Sequence, residues 1–228
     1  RDIGKPNQRK IFAMPPRLAR IMVNLASCKA GQLLLDPFCG VGTILQEALL
    51  AKARVVGMDI NPWCAKATVE NLECLKREYG LTEAEFRILQ GDARRLTQKI
   101  GQEQVDYVVT EPDLGPALRH VPTMSYAVKI IEKLKPLYYG LVEEAFKVLR
   151  KNGRLVLTTP YIQTRSEKTV TMALAEKAAS VGFKPVFPFK KGIFAEGIMA
   201  QKNLAVVSSF VDAEERHKIG RQIHIFQK

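Results

Sequence analysis

Asp36-Pro37-Phe38-Cys39-Gly40-Val41-Gly42-Thr43 is the stretch on which the reading of this 228-residue chain turns. It follows the short apolar run Leu33 to Leu35 and leads into a helical pattern through about Ala51, with Thr43 as the expected cap. A strand ending in a carboxylate, a turn with two glycines and then a helix is how an open α/β sheet begins a ligand site. Gly40 and Gly42 let a ligand approach the backbone closely, and such ligands settle beyond the carboxyl ends of the strands. The third glycine of a dinucleotide fingerprint would fall at Leu45. A pyrophosphate is therefore not the expected guest, which counts against an NAD-dependent oxidoreductase.

Working outward toward the C-terminus, Val55 to Met58 reads as a second buried strand ending at Asp59, 19 residues after Gly40. A carboxylate there can accept hydrogen bonds from ribose hydroxyls. Asn61 caps the next helix, Pro62 takes its first position, and Gly80 stops it after Tyr79. A third strand, Phe86 to Leu89, leads to Asp92-Ala93, placed to meet an adenine edge, and a fourth, Val105 to Val109, leads to Thr110-Glu111-Pro112. Two helical patterns follow, Tyr126 to Leu134 and Leu137 to Leu149, then a turn at Asn152-Gly153, a fifth strand Arg154 to Thr159, and a helix from about Val170 to Val181. Val206 to Val211 and Gln222 to Phe226 look like an edge hairpin, and Phe183 to Phe189 a further strand or an extended lead-in. Toward the N-terminus, Pro15-Pro16 opens a helix with Leu18, Ile21, Met22 and Leu25 on one face. Short strands apolar on both sides, alternating with helices, argue a parallel sheet covered on both faces. No repeat or linker divides the chain, so one doubly wound α/β domain is expected.

Composition narrows the function classes. With 46% hydrophobic and 25% charged residues and no low-complexity run, neither a disordered chain nor a coiled coil fits. No stretch approaches the roughly 20 apolar residues of a membrane span, and the opening RDIGKPNQRK lacks a signal-peptide core, so no membrane association and a cytoplasmic location are expected. Cys28, Cys39, Cys64 and Cys74 form no C-x-x-C pair, and no metal site is expected. Thirty-five basic against 23 acidic residues give a formal charge of +12, which suits a polyanionic partner or a solvated basic surface. Arg1, Lys5, Arg9, Lys10, Arg17 and Arg20 stand against Asp2 alone in the first 20 residues. Lys190-Lys191 before Gly192-Ile193-Phe194 reads as phosphate contact plus base stacking, or as solvated charge beside a buried aromatic, and Arg94-Arg95 and Arg119-His120 extend the basic candidates. The chain opens on Arg1 rather than Met, as a fragment does.

These residues resemble the class I S-adenosylmethionine-dependent methyltransferases. DPFCGVGT is similar to the D-P-F-C-G-S-G-T motif of a group of RNA methylases that includes tRNA guanine-N2-methyltransferases carrying a THUMP domain ahead of the catalytic domain. The resemblance covers the chain from about Lys5 to Lys228, including the Pro15-Pro16 helix before the first strand and the closing Gly220-Arg221-Gln222-Ile223. It implies a Rossmann-like, seven-stranded, mostly parallel sheet with an antiparallel last strand. It also implies S-adenosylmethionine as cofactor, with Asp36, Gly40 and Gly42 at its methionine part, Asp59 at the ribose and Asp92 at the adenine. Phe38, Cys39, Thr43, Ile60 and Ala93 flank these positions. Residues 31–228 would form the methyltransferase domain and 1–30 a basic lead-in with a helix packed on it, where an RNA-binding module would join. RNA, first of all tRNA, is the implied partner, and the chain is expected to be a monomer.

Enzymes that methylate exocyclic amines carry D/N-P-P-Y/F after the fourth strand. A nucleobase amine has its lone pair delocalised into the ring; a side-chain oxygen and a backbone carbonyl can accept its two N–H bonds and turn the lone pair toward the methyl, while an aromatic stacks on the base. Here the stretch is Glu111-Pro112-Asp113-Leu114-Gly115-Pro116. Glu111 and the Pro112 carbonyl can take the acceptor roles, Asp113 replaces the second proline, and Leu114 replaces the aromatic. Tyr161 or Phe38 could stack instead; Glu111 could also simply cap its turn. Cytosine-C5 chemistry is excluded, because it needs a thiolate near the fourth strand and no cysteine follows Cys74. P-loop, H-E-x-x-H and G-x-S-x-G motifs are absent. The expected activity is methyl transfer to an exocyclic base nitrogen of RNA, guanine N2 in tRNA foremost. The alternatives are a DNA amino-methyltransferase and an inactive, cofactor-binding partner subunit.

Overall fold

The computed structural model describes residues 5–8, 14–187, 209–212 and 218–228. Five strands run parallel: β1 (Leu33–Asp36), β2 (Arg54–Asp59), β3 (Phe86–Gln90), β4 (Val105–Thr110) and β5 (Leu149–Gln163). They lie in the order β3-β2-β1-β4-β5, so the chain builds outward from β1 on one side and then returns to its other side. The last strand, β9 (Ile219–Gln227), is antiparallel to β5, as expected, with Arg154 opposite Gln227 and Ile162 opposite Ile219. Three short strands complete a nine-stranded sheet: β6 (Thr169–Thr171) on the extension of β5, and β7 (Lys184–Pro185) and β8 (Ser209–Asp212) on β9. The count exceeds the expected seven through β6 and β7.

Alternation along the strands sorts the core into two layers. Leu34, Val55, Val109, Val156 and Ile225 face α1 (Pro16–Leu25), α2 (Thr43–Leu50) and α3 (Pro62–Tyr79). Leu35, Met58, Val108, Leu155, Leu157 and Phe226 face α4 (Leu96–Ile100), α5 (Met124–Val148) and α6 (Leu174–Val181). A slip of one residue in any central strand would exchange these sets, so burial on both faces fixes the register. Among the described residues no helix is long and apolar enough to cross a membrane.

Local readings are corrected at four places. Gly42, with φ +86°, is the N-cap of α2, and Thr43 is its first helical residue; two left-handed glycines in the turn after β1 bring the chain into the helix one residue early. Ile21 is 41% exposed rather than on the buried face of α1. The two patterns on either side of Pro136 form one helix, α5, 25 residues long. The pattern from Val170 divides into β6 and a helix that begins only at Leu174. Of the hairpin, Ser209–Asp212 pairs with β9, whereas Val206 lies outside the described residues.

Candidate cofactor and acceptor cleft

Strand order reverses between β1 and β4, and there a cleft of about 440 Å³ opens beyond their carboxyl ends, within the size range of small-molecule sites. The turn after β1 contributes Asp36, Phe38, Cys39, Gly40, Val41 and Thr43; the end of β2 gives Asp59, Ile60 and Asn61; the segment after β4 gives Glu111 to Gly115. Arg221 of β9 lines the same space.

The backbone of the first turn explains its glycines. Gly40 has φ +54°, and a side-chain carbon built on it meets no atom within 4 Å, so the space beside it is open to a ligand. Gly42 acts differently. It does not line the cleft, and a carbon there would come within 3.0 Å of Thr68 Cγ2, so it serves close packing on α3. Asp59 ties the two strand ends together: Gly40 N–H donates to Oδ2 at 2.9 Å and Asn61 N–H to Oδ1 at 2.9 Å. Each oxygen keeps lone-pair capacity for a hydroxyl donor. Ile60, 65% exposed, offers an apolar surface next to it.

Asp36 is buried. Its Oδ1 accepts from Thr110 Oγ1 at 2.7 Å and from Phe38 N–H at 3.1 Å. Burial above all pushes its carboxyl up to about 7; the two hydrogen bonds oppose this, and repulsion from Asp59 and Glu111 adds to it. Burial likewise raises the Cys39 thiol, which stays neutral and unreactive.

At the end of β4, Glu111 is held by Arg221, a residue of the closing Gly220-Arg221-Gln222-Ile223 stretch to which the sequence gives no role at the site. Arg221 Nε donates to Glu111 Oε2 at 2.6 Å and Nη2 to Oε1 at 3.3 Å, and Thr158 Oγ1 adds a long contact to Oε2 at 3.4 Å. The side chains are 9% and 13% exposed, so this two-pronged pair is largely shielded from water. The Asp113 carboxylate folds back to accept Gly115 N–H at 2.9 Å, and the buried Tyr138 hydroxyl donates to the Asp113 carbonyl at 3.0 Å. Phe38 is the aromatic lining the cleft among the described residues; the Tyr161 hydroxyl instead receives a hydrogen bond from Thr169, away from it.

Asp92 and Ala93 are not brought into the lining. The Asp92 carboxylate caps a 3₁₀ turn at Ala93–Arg95 and binds the Arg94 guanidinium at 2.6 to 3.1 Å, which holds its carboxyl below the ordinary range. Arg20 pairs with Glu47 at 3.0 Å. Arg1, Arg9, Lys10, Lys190, Lys191 and Phe194 lie outside the described residues.

Asp36, Asp59, Glu111 and Asp113 thus face Arg221 as the single cation among the described lining residues, and Arg221 is committed to Glu111. A glycine turn with carboxylates and no free cation suits a ligand bearing positive charge and hydroxyls; a pyrophosphate would be repelled. A family model described as an RMKL-like, methyltransferase domain matches residues 6–184. The chain belongs to this family. It is 38% identical over 161 residues to the tRNA (guanine(10)-N2)-dimethyltransferase of Methanothermobacter thermautotrophicus, a match covering 69% of this chain and 43% of the relative. To the protein of the same name from Methanocaldococcus jannaschii it is 37% identical over 164 residues, covering 69% and 41%. The methyltransferase domain described here therefore spans about two fifths of the length of these curated relatives. The crystal structure of TrmN from Thermus thermophilus superposes with a TM-score of 0.60 over 94% of this chain and 49% of that one, at 20% identity, a likeness of fold. Arg221 lies beyond the residues that the family model matches.

Proposed function

We propose that this domain transfers a methyl group from S-adenosylmethionine to an exocyclic base nitrogen of RNA, with guanine N2 of tRNA as the acceptor. The observation that carries the proposal is the acidic cleft at the strand-order switch, with an open glycine turn at one end and the Glu111 loop at the other. The names of the curated relatives, tRNA (guanine(10)-N2)-dimethyltransferases, support the same substrate class.

The donor set fits S-adenosylmethionine. Asp59 would accept from the ribose hydroxyls, Ile60 would cover an adenine face, Gly40 would admit the chain of the cofactor, and Asp36 would meet its positive charge. When bound, S-adenosylmethionine supplies an electrophilic methyl group on a sulfonium. The protein's task is then to present the amine. Glu111 accepts one N–H of the amine and the Pro112 carbonyl the other, which aims the nitrogen lone pair into the cleft. Arg221 holds Glu111 in place through two hydrogen bonds, so Glu111 acts as an acceptor and can take the proton that the nitrogen sheds once methylated. Asp113 Oδ1 is turned back onto Gly115 N–H of its own loop, whereas Glu111 is fixed by Arg221 of β9, so the amine is assigned to Glu111. Phe38 would serve as the stacking surface that Leu114 does not provide. Residues 31–228 form the catalytic domain in this reading, and residues 1–30 its lead-in.

The test is transfer of a labelled methyl group from S-adenosylmethionine to tRNA transcripts and, in parallel, to duplex DNA. Label in the tRNA alone is expected. Preferential labelling of DNA would assign the domain to a DNA amino-methyltransferase, and cofactor binding with no transfer to either would assign it to a binding subunit; both results contradict the proposal.

A further inference from the structure

The glycine turn after β1 is supported from behind by one face of α3. Cys64, Thr68 and Asn71 are spaced by four and then three residues, which places them in one row, and all three are buried. Cys64 reaches the cleft itself. Thr68 Oγ1 donates to the Gly40 carbonyl at 2.8 Å, and Asn71 Nδ2 donates to the Val41 carbonyl at 2.9 Å. A peptide unit is planar, so pinning these two carbonyls fixes the orientation of two peptide units that border the cleft.

Asn71 does more than hold the turn. Its Nδ2 also donates to the Asn7 carbonyl at 3.0 Å, and its Oδ1 accepts Asn7 N–H at 3.0 Å. One buried amide thereby uses both faces of its donor–acceptor capacity, joining a segment 64 residues upstream to the cofactor turn. The same segment makes a second attachment close by: Lys5 Nζ donates to Thr43 Oγ1 at 3.0 Å, and Thr43 lines the cleft. A third, Asn7 Nδ2 to Glu70 Oε2 at 2.6 Å, anchors it along α3.

We propose that Asn71 is a positioning residue that couples the strap at Lys5–Gln8 to the glycine turn, so that the seating of this N-terminal strap sets the affinity for the cofactor. The proposal rests on the S-adenosylmethionine reading. Within a buried network each member constrains the others, and releasing the strap leaves the Asn71 oxygen unpaired and the amide free to turn away from Val41. Whatever precedes the strap in a longer protein would act on the cofactor site through Asn71, with the Lys5–Thr43 bond as a second link.

The experiment is a double-mutant cycle in the full chain, read by calorimetric titration of S-adenosylmethionine. Asn7→Pro removes the N–H that Asn71 accepts, and Asn71→Leu removes the amide at similar volume. Each is expected to weaken binding about tenfold, the scale of one buried hydrogen bond left unmade, and the double variant no more than the Asn71 change alone. Lys5→Met gives an independent release of the strap and is expected to weaken binding in the same direction. The unfolding midpoint without cofactor is measured alongside, because bonds that only hold the fold together would lower that midpoint and leave the affinity of the folded fraction unchanged. Unchanged affinity in all three variants, or additive losses in the double variant, overturns the coupling. A wild-type chain that fails to bind S-adenosylmethionine overturns the cofactor reading, and the coupling with it.

Discussion

Asp36 ends β1 with a carboxyl that burial pushes up to about 7, against an ordinary value near 4. Between those two values the unfolded chain has lost the proton and the native chain still holds it. The native state binds more protons, so Asp36 makes stability fall as pH rises through this window, without any gain above it. A cation in the cleft reverses the preference by favouring the ionised form. S-adenosylmethionine binding is therefore expected to release a proton near pH 6 and to tighten toward pH 8; calorimetry in buffers of different ionisation heat measures both, and Asp36→Asn should abolish the release. Binding at pH 6 without proton release would contradict the assignment of Asp36 to the positive charge.

Glu111 and Arg221 give the second test at this scale. Removing one member of a shielded ion pair strands the other, at a cost of about 3 to 5 kcal/mol of stability. Arg221→Ala also frees the Glu111 carboxylate to rotate, so the single-turnover transfer rate should fall about 100-fold or more while cofactor affinity changes little. Arg221→Lys, which keeps the charge but loses the two-pronged geometry, should fall between Ala and wild type. A rate unchanged in both variants would remove Arg221 from the acceptor site. Asp36, Asp59 and Glu111 are readable in the sequence because each stands at the end of an apolar strand, and Gly40 because it belongs to the two-glycine turn that follows the first one. The pairing of Arg221 with Glu111 is not, because the two lie 110 residues apart and the closing Gly220-Arg221-Gln222-Ile223 stretch carries no local sign of its partner. The Asp92 engagement did leave a local trace: an Asp followed two residues later by Arg94, the spacing of a carboxylate capping its own turn.

At the scale of elements, α5 shows where local reading stops. Proline removes one helical hydrogen bond and clashes with the preceding turn, which argues for a break at Pro136. The break is overridden because Ile130, Ile131 and Leu134 before it and Tyr138, Leu141 and Val142 after it bury on the same core, and Pro136 itself stands on the exposed side. Likewise Val170-Thr171 reads as the start of a helix only until the long extension of β5 offers Thr169–Thr171 a pairing edge. The continuity of α5 matters for the site, since it carries Tyr138 to the Asp113 carbonyl. Tyr138→Phe keeps the packing and deletes that bond, so it should cost about 0.5 to 1.5 kcal/mol in chemical unfolding. It should also slow methyl transfer severalfold by loosening the Glu111–Gly115 segment, with cofactor affinity unchanged. Full activity in this variant would show that the helix does not hold the acceptor loop.

The whole molecule carries a formal charge of +12, yet its cleft is lined by four carboxylates against one committed arginine. Among the described residues the basic excess therefore lies outside the cleft lining, an arrangement that would separate a cationic ligand within from a polyanion without. The alternation of strands and helices made the doubly wound architecture readable, because residues such as Leu34 and Leu35 must both be apolar when both sheet faces are covered. The short strand β6 was not readable, since three residues carry no periodicity and are specified by the neighbour they pair with; β7, at Lys184–Pro185, falls within the stretch from Phe183 that reads as a further strand or an extended lead-in. Methyl transfer to guanine N2 is the claim on which the account stands, and nucleoside mass spectrometry of tRNA incubated with this protein and S-adenosylmethionine tests it most directly. N2-methylguanosine or N2,N2-dimethylguanosine should appear with the wild-type chain and be lost with Glu111→Ala; methylation only at an atom other than guanine N2, or an unchanged yield in the variant, would contradict it.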